Sequence, residues 1–153
     1  MLNPDFKDML SALSGEKAEF LIVGAYALAF YGLPRATGDI DLFVGTDPDN
    51  SKKIFQALKR FGAPLQDVQP ETFTQTDLVF QIGVAPSRID LMTSITGVTF
   101  REAWEHRQWT EIEGMKLPVL SMGDLILNKS AVGRPKDKVD LEWLIERNKK
   151  KMP

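Results

Sequence analysis

A chain of 153 residues that is 43% hydrophobic and 26% charged has the size and composition of one globular domain able to bury a core. A net charge of −2 argues against a generic grip on duplex DNA, which needs many phosphate contacts, and no apolar run reaches the roughly 20 residues that span a bilayer. Without cysteine there is no disulfide, thiolate zinc site or cysteine nucleophile to consider. A cytoplasmic location fits this composition and the amphipathic start MLNPDFKDML, since a secretory leader would be basic and then apolar.

In chain order, Phe6, Met9, Leu10 and Leu13 recur at i, i+3, i+4 and i+7 with Gly15 following, which predicts a helix over 4–14. EFLIV, 19–23, reads as a buried strand running into Gly24 and a short alanine-rich helix closed by Gly32 and Pro34. DIDLFV, 39–44, is the next strand, with Asp39 and Asp41 on one face and Ile40, Leu42 and Val44 on the other. Asp47 as N-cap and Pro48 in the first turn open a helix to about 60, with Ile54, Phe55, Leu58 and Phe61 as its apolar stripe. Residues 63–77 read mostly as loop. Two strands follow at 78–84 and 88–93, joined antiparallel through Ala85, Pro86 and Ser87. A short helix is expected over 100–107, a hairpin over 110–120 turning at Gly114, and helices over 122–132 and 135–148 broken by GRP. The pattern is α+β: a small mixed β-sheet flanked by helices, with a C-terminal helical hairpin, in a single domain across 1–153.

The chemistry is concentrated in GDIDLFV. Strands disfavour Asp, and like charges on one face repel, yet Asp39 and Asp41 stand side by side, a two-residue step of roughly 6.6 Å apart. Asp90 has a similar setting in SRIDLM, and pairing of its strand beside 39–44 would bring three carboxylates to one patch. Any one of them could be a cap, turn residue or salt-bridge partner; the three together need a positive charge. Mg²⁺ meets that need with oxygen ligands, and two such ions about 4 Å apart can hold both oxygens of an in-line phosphoryl displacement. Upstream, the strand–Gly24–helix junction offers free backbone N–H groups to a phosphate. It is neither a Walker loop, for want of G-K-[ST], nor a G-x-G-x-x-G turn. Together the acids and the glycine turn point to nucleoside triphosphate chemistry.

Arg35 and Thr37, in PRATGD, could hold a phosphate or form a polar turn. Lys129, in the apolar LILNKSAVG, needs water, a carboxylate or a ligand for its ammonium. Asp137 and Asp140 share a helix face and could pair with Arg134, Lys136 or Lys129. His106, in EHRQ, reads as a surface residue with no partner spacing. Trp104, Trp109 and Trp143 read as packing residues.

FLIVGAYALAFYGLPRATGDIDLFV followed by RIDLM resembles the nucleotidyltransferase superfamily of the DNA polymerase β type: hydrophobic-Gly-[Gly/Ser], a spacer, hydrophobic-acid-hydrophobic, and a third acid on a later strand. The resemblance implies a magnesium-dependent, two-metal transfer of an NMP group from an NTP such as ATP to a hydroxyl acceptor. Asp39 and Asp41 would bind Mg²⁺ and the triphosphate; Asp90 would join the catalytic metal and favour deprotonation of the acceptor. Gly24, Ala25, Arg35, Thr37 and Lys129 would face the nucleotide. Ala25 departs from the usual Gly or Ser, keeping the backbone N–H without a hydroxyl. The acceptor could be a small molecule, a protein or an RNA 3′ end. LPVLSMGDLILNKSAVGRPKDKVDLEWL is also similar to the tail of small bacterial nucleotidyltransferase-like proteins, including abortive-infection and toxin–antitoxin members. That likeness, with Ala25, implies an alternative: a catalytically weak or inactive nucleotide-binding member acting in a toxin–antitoxin or regulatory pair.

Overall fold

In a computed structural model, which describes residues 2–35, 37–84 and 86–151, local signals and element boundaries agree closely. The order is α1 (Pro4–Gly15), β1 (Phe20–Val23), α2 (Gly24–Phe30), β2 (Asp39–Val44), α3 (Pro48–Phe61), a 3-10 turn (Thr72–Thr74), β3 (Val79–Val84), β4 (Ser87–Met92), α4 (Phe100–Glu105), β5 (Gln108–Ile112), β6 (Met115–Val119), α5 (Met122–Val132) and α6 (Pro135–Lys151). The helix starts are set by side chains that satisfy otherwise unpaired backbone donors. Asn3 accepts from the Asp5 amide at 2.8 Å, Asp47 from Asn50 at 3.0 Å and Ser121 from Asp124 at 3.1 Å. Residues 63–77, expected as loop, contain the 3-10 turn, which buries Phe73. In the expected 85–87 connection Ala85 lies outside the described residues and Ser87 already belongs to β4.

Six strands form one mixed sheet in the order β3-β4-β2-β1-β6-β5. Antiparallel pairing puts Val23, the last residue of β1, opposite Asp41. Parallel pairing of β2 with β4 sets Asp41 opposite Asp90 and Asp39 opposite Arg88. Because side chains alternate along a strand, matched positions on neighbouring strands share a face. Glycine permits this approach: a Cβ on Gly38 would lie 1.2 Å from the Pro86 carbonyl oxygen, so any larger residue would push the starts of β2 and β4 apart.

The opposite face of β2, Ile40, Leu42 and Val44, enters the main core with Phe6, Met9, Leu10 and Leu13 of α1 and Ile54, Ala57 and Leu58 of α3. Asn50 is the buried polar tie between layers. It accepts from the Glu19 amide at 2.6 Å and donates to the Glu19 and Gly45 carbonyls at 3.0 and 2.8 Å, so its amide is fully used. On the aspartate face, Phe43 packs edge-on against Phe100 of α4, ring centroids 5.1 Å apart. The α5–α6 hairpin packs helix on helix and brings Lys129 to the same cavity as Ala25 of α2. No helix among the described residues is long and apolar enough to cross a membrane.

Candidate active site

The register of β2 and β4 assembles the acid cluster foreseen from sequence, and Arg88 joins it. Its Nε donates to Asp90 Oδ1 at 2.8 Å and its Nη2 to Asp90 Oδ2 at 3.1 Å, while Nη2 also lies 3.2 Å from Asp39 Oδ2. The positive charge demanded by the aspartates is thus partly supplied by the chain itself. The sequence carries the signal: in SRIDLM, Arg88 and Asp90 are two apart and so share a face.

Asp41 is the least compensated member. Burial, then the charge and hydrogen bonding of Asp90 and the charge of Asp39, push its carboxyl up to about 6; Arg88 offsets only part of this. Such a group takes up a proton, or a cation in its place. The turn from β1 into α2 requires glycine at position 24. Its φ is +66°, and a Cβ would sit 2.5 Å from Asp41 Oδ2, so a side chain would be both strained and in collision with the carboxylate. The first-turn amides of α2 receive no side-chain cap.

Beside α2 lies a cavity of about 420 Å³ lined by Ala25, Leu28, Arg35, Thr37, Lys129, Arg134, Lys136, Asp137 and Asp140. Its four cations outnumber its two carboxylates. Three of these cations are held in place: Lys129 Nζ is 3.1 Å from Asp137 Oδ1 and 3.5 Å from Asp140 Oδ2. Arg134 grips Asp137 through Nε at 2.7 Å and Nη2 at 3.2 Å, and Arg35 ion-pairs with Asp140. The Arg134 fork, with Lys129 beside it, holds the Asp137 carboxyl down at about 2. Thr37 is turned to its own backbone, its hydroxyl accepting from the Asp39 amide at 3.1 Å and so fixing the entry to β2.

Among the described residues no group of three or more His, Cys, Asp or Glu side chains stands assembled as a cation site. The Arg88 guanidinium engages both oxygens of Asp90 and one of Asp39. The donor set still suits a hard divalent cation: it is all carboxylate oxygen, and Asp41 carries charge that burial and its neighbours disfavour. Lys129, expected to face a nucleotide, does line the cavity, but its ammonium is anchored by two aspartates of α6. His106 is exposed as expected yet does have a partner. Its Nδ1 lies 3.0 Å from Asp124 Oδ2, a contact between residues 18 apart that no local spacing reveals. Trp104 stacks on Phe100 with centroids 5.7 Å apart, as a packing residue would, whereas Trp109 is largely exposed.

Residues 5–147 match the model of the DUF6036 family, nucleotidyltransferases of unknown function. The chain belongs to that family. This nucleotidyltransferase-family chain also shares its fold with TM1012 of Thermotoga maritima, whose crystal structure was described as that of a candidate nucleotidyltransferase. The TM-score is 0.62 at 21% identity, covering 95% of this chain and 96% of that one. A second neighbour is the lincosamide antibiotic adenylyltransferase LnuA with lincomycin bound, at TM-score 0.56 and 15% identity over 94% and 96% of the two chains. At these identities the likeness establishes the fold. No curated protein sequence matches the chain significantly.

Proposed function

We propose that this chain transfers an NMP group from a nucleoside triphosphate to a hydroxyl acceptor, with Asp39, Asp41 and Asp90 as the metal-holding acids. The observation that carries the reading is the strand register that sets Asp41 opposite Asp90 with Gly24 packed against the Asp41 carboxylate. The reading is supported by chain continuity, since Gly24 precedes Ala25 and Thr37 precedes Asp39, and both Ala25 and Thr37 line the cationic cavity that a triphosphate would need. Mg²⁺, where bound by these carboxylates, would neutralise charge on the α-phosphate and the departing pyrophosphate.

The remaining chemistry belongs to the chain. Lys129, Arg134 and Arg35 offer donors to the β- and γ-phosphates, and the amide of Ala25 adds a neutral one. Asp90, nearly fully buried, draws the acceptor hydroxyl proton away as its oxygen bonds to the α-phosphorus. The bridging Pα–O bond breaks, and pyrophosphate leaves with the displaced electron pair. A small molecule, such as an antibiotic of the kind bound in LnuA, is one candidate acceptor, beside a protein side chain or an RNA 3′ end.

The deciding experiment measures pyrophosphate release from the four NTPs with Mg²⁺ and a panel of acceptors, for wild type and for Asp39→Asn and Asp41→Asn. Release that requires both aspartates supports the proposal; release unchanged in either variant refutes it. A second reading, a nucleotide-binding member of a toxin–antitoxin or regulatory pair that transfers weakly or not at all, is favoured by Ala25, which removes a hydroxyl from the phosphate turn. Calorimetric NTP binding without release across the panel would select it.

A further inference from the structure

Arg88 has no part in the reading above, yet it is the most heavily engaged side chain of the acid cluster. It spans two strands' worth of carboxylates: a bidentate fork on Asp90 and a third contact to Asp39. A guanidinium fork on a carboxylate is a strong, geometrically fixed pair. It sits on the oxygens that would hold a divalent cation. A metal and Arg88 are therefore rivals for the negative charge of Asp39 and Asp90. The rivalry is one of charge, because each carboxylate oxygen keeps a second lone pair while the guanidinium already meets part of the charge that would attract a cation.

We propose that Arg88 is a tethered counter-ion that makes metal binding depend on the triphosphate. With the acids alone, a free divalent ion gains little over the guanidinium already present. When a triphosphate arrives in the cationic cavity, its oxygens complete the coordination and its negative charge gives Arg88 a new partner. The metal then enters with the nucleotide and is not held without it. Arg88 acts here as a positioning residue, through Asp39 and Asp90, and the inference rests on the acid cluster being the metal site.

The test is Mn²⁺ binding, followed by electron paramagnetic resonance, with and without an equimolar mixture of the four α,β-methylene nucleoside triphosphates. The chains are wild type, Arg88→Met, Arg88→Lys and Asp41→Asn, each checked for folding by melting in EDTA. Arg88→Met keeps the bulk of the stem and removes the charge. It should bind Mn²⁺ alone roughly tenfold tighter than wild type, the order by which one adjacent unit charge shifts an ionic equilibrium. With the analogues present its gain should shrink to less than about threefold, because the triphosphate competes for the same guanidinium. Arg88→Lys should return toward wild type, which a loss of packing alone would not produce.

If Mn²⁺ binding needs Asp41 but Arg88→Met leaves it within about twofold in the absence of nucleotide, the counter-ion proposal is overturned and the functional reading stands. If Asp41→Asn binds Mn²⁺ as well as wild type does, or no chain binds it even with the analogues, both fall. Should Arg88→Met not fold, wild type alone decides. The ¹⁵N-resolved Nε–H signal of Arg88 should be unmoved by Mg²⁺ and shifted by Mg²⁺ with the analogues. A full shift with Mg²⁺ alone, or no shift with both, overturns the proposal.

Discussion

Asp41→Asn should stabilise the fold at neutral pH while removing the activity, and the effect should depend on pH in a specific way. Burial and neighbouring carboxylates raise the Asp41 carboxyl from 3.8 to about 6. The folded state therefore binds this proton more tightly than the unfolded chain does. The resulting stability is fully present below about pH 4 and is lost as pH rises to 6, at up to about 1.4 kcal/mol per pH unit. The gap of about two units corresponds to about 3 kcal/mol, and the partial solvent access of the site reduces this to about 2 kcal/mol. Asparagine does not ionise and escapes that loss. In EDTA, urea titrations at pH 4 should give nearly equal stabilities for the two chains. At pH 8 the variant should lead by about 2 kcal/mol, equivalent to a melting point higher by about 4–8 °C for a domain of this size. A variant that is no more stable at pH 8, or whose advantage is the same at both pH values, would refute the assigned electrostatics.

Further predictions concern the glycine turn and the cavity. Gly24→Ala should cost about 1–3 kcal/mol through its positive φ and the clash with Asp41, seen by thermal melting, and should abolish NTP-dependent pyrophosphate release. Asp137→Asn should destabilise the chain at pH 7 by about 1–2 kcal/mol, because it removes a buried carboxylate shared by Lys129 and the half-exposed Arg134 while Lys129 keeps Asp140. That deficit should shrink as pH falls from about 4 toward 2, the range in which the depressed carboxyl of the wild type takes up its proton; denaturant curves across the range check the sign. Ala25→Ser should raise the rate of pyrophosphate release several-fold by restoring a hydroxyl donor to the phosphate turn, about 1 kcal/mol for one hydrogen bond. An unchanged rate would show that no phosphate oxygen sits there.

How much of this was legible beforehand depended on the range of the signal. α1 follows from the spacing of Phe6, Met9, Leu10 and Leu13. The start of α3 follows from Asp47, because capping and helical periodicity act within a few residues. The face shared by Asp39 and Asp41 is likewise a local consequence of strand pleating. The apolar surroundings of Lys129 in LILNKSAVG show in the sequence that its ammonium needs a partner. Which partner it found depended on the packing of α5 on α6, where Asp137 and Asp140 reach it first.

The sequence by itself determined most element types, the acid pair on one strand face, the glycine turn between strand and helix at Gly24 and the third acid in a hydrophobic strand. Each of these is fixed by covalent neighbours and by a period of two or 3.6. The tertiary structure alone decided that β4 lies parallel to β2 with Asp90 against Asp41. It also decided that Arg88 neutralises Asp39 and Asp90, that His106 meets Asp124, and that four cations gather around one cavity. Those facts come from register and packing between segments tens of residues apart. There, the repulsion of three carboxylates had to be met by whichever positive group the pairing of strands brought within reach.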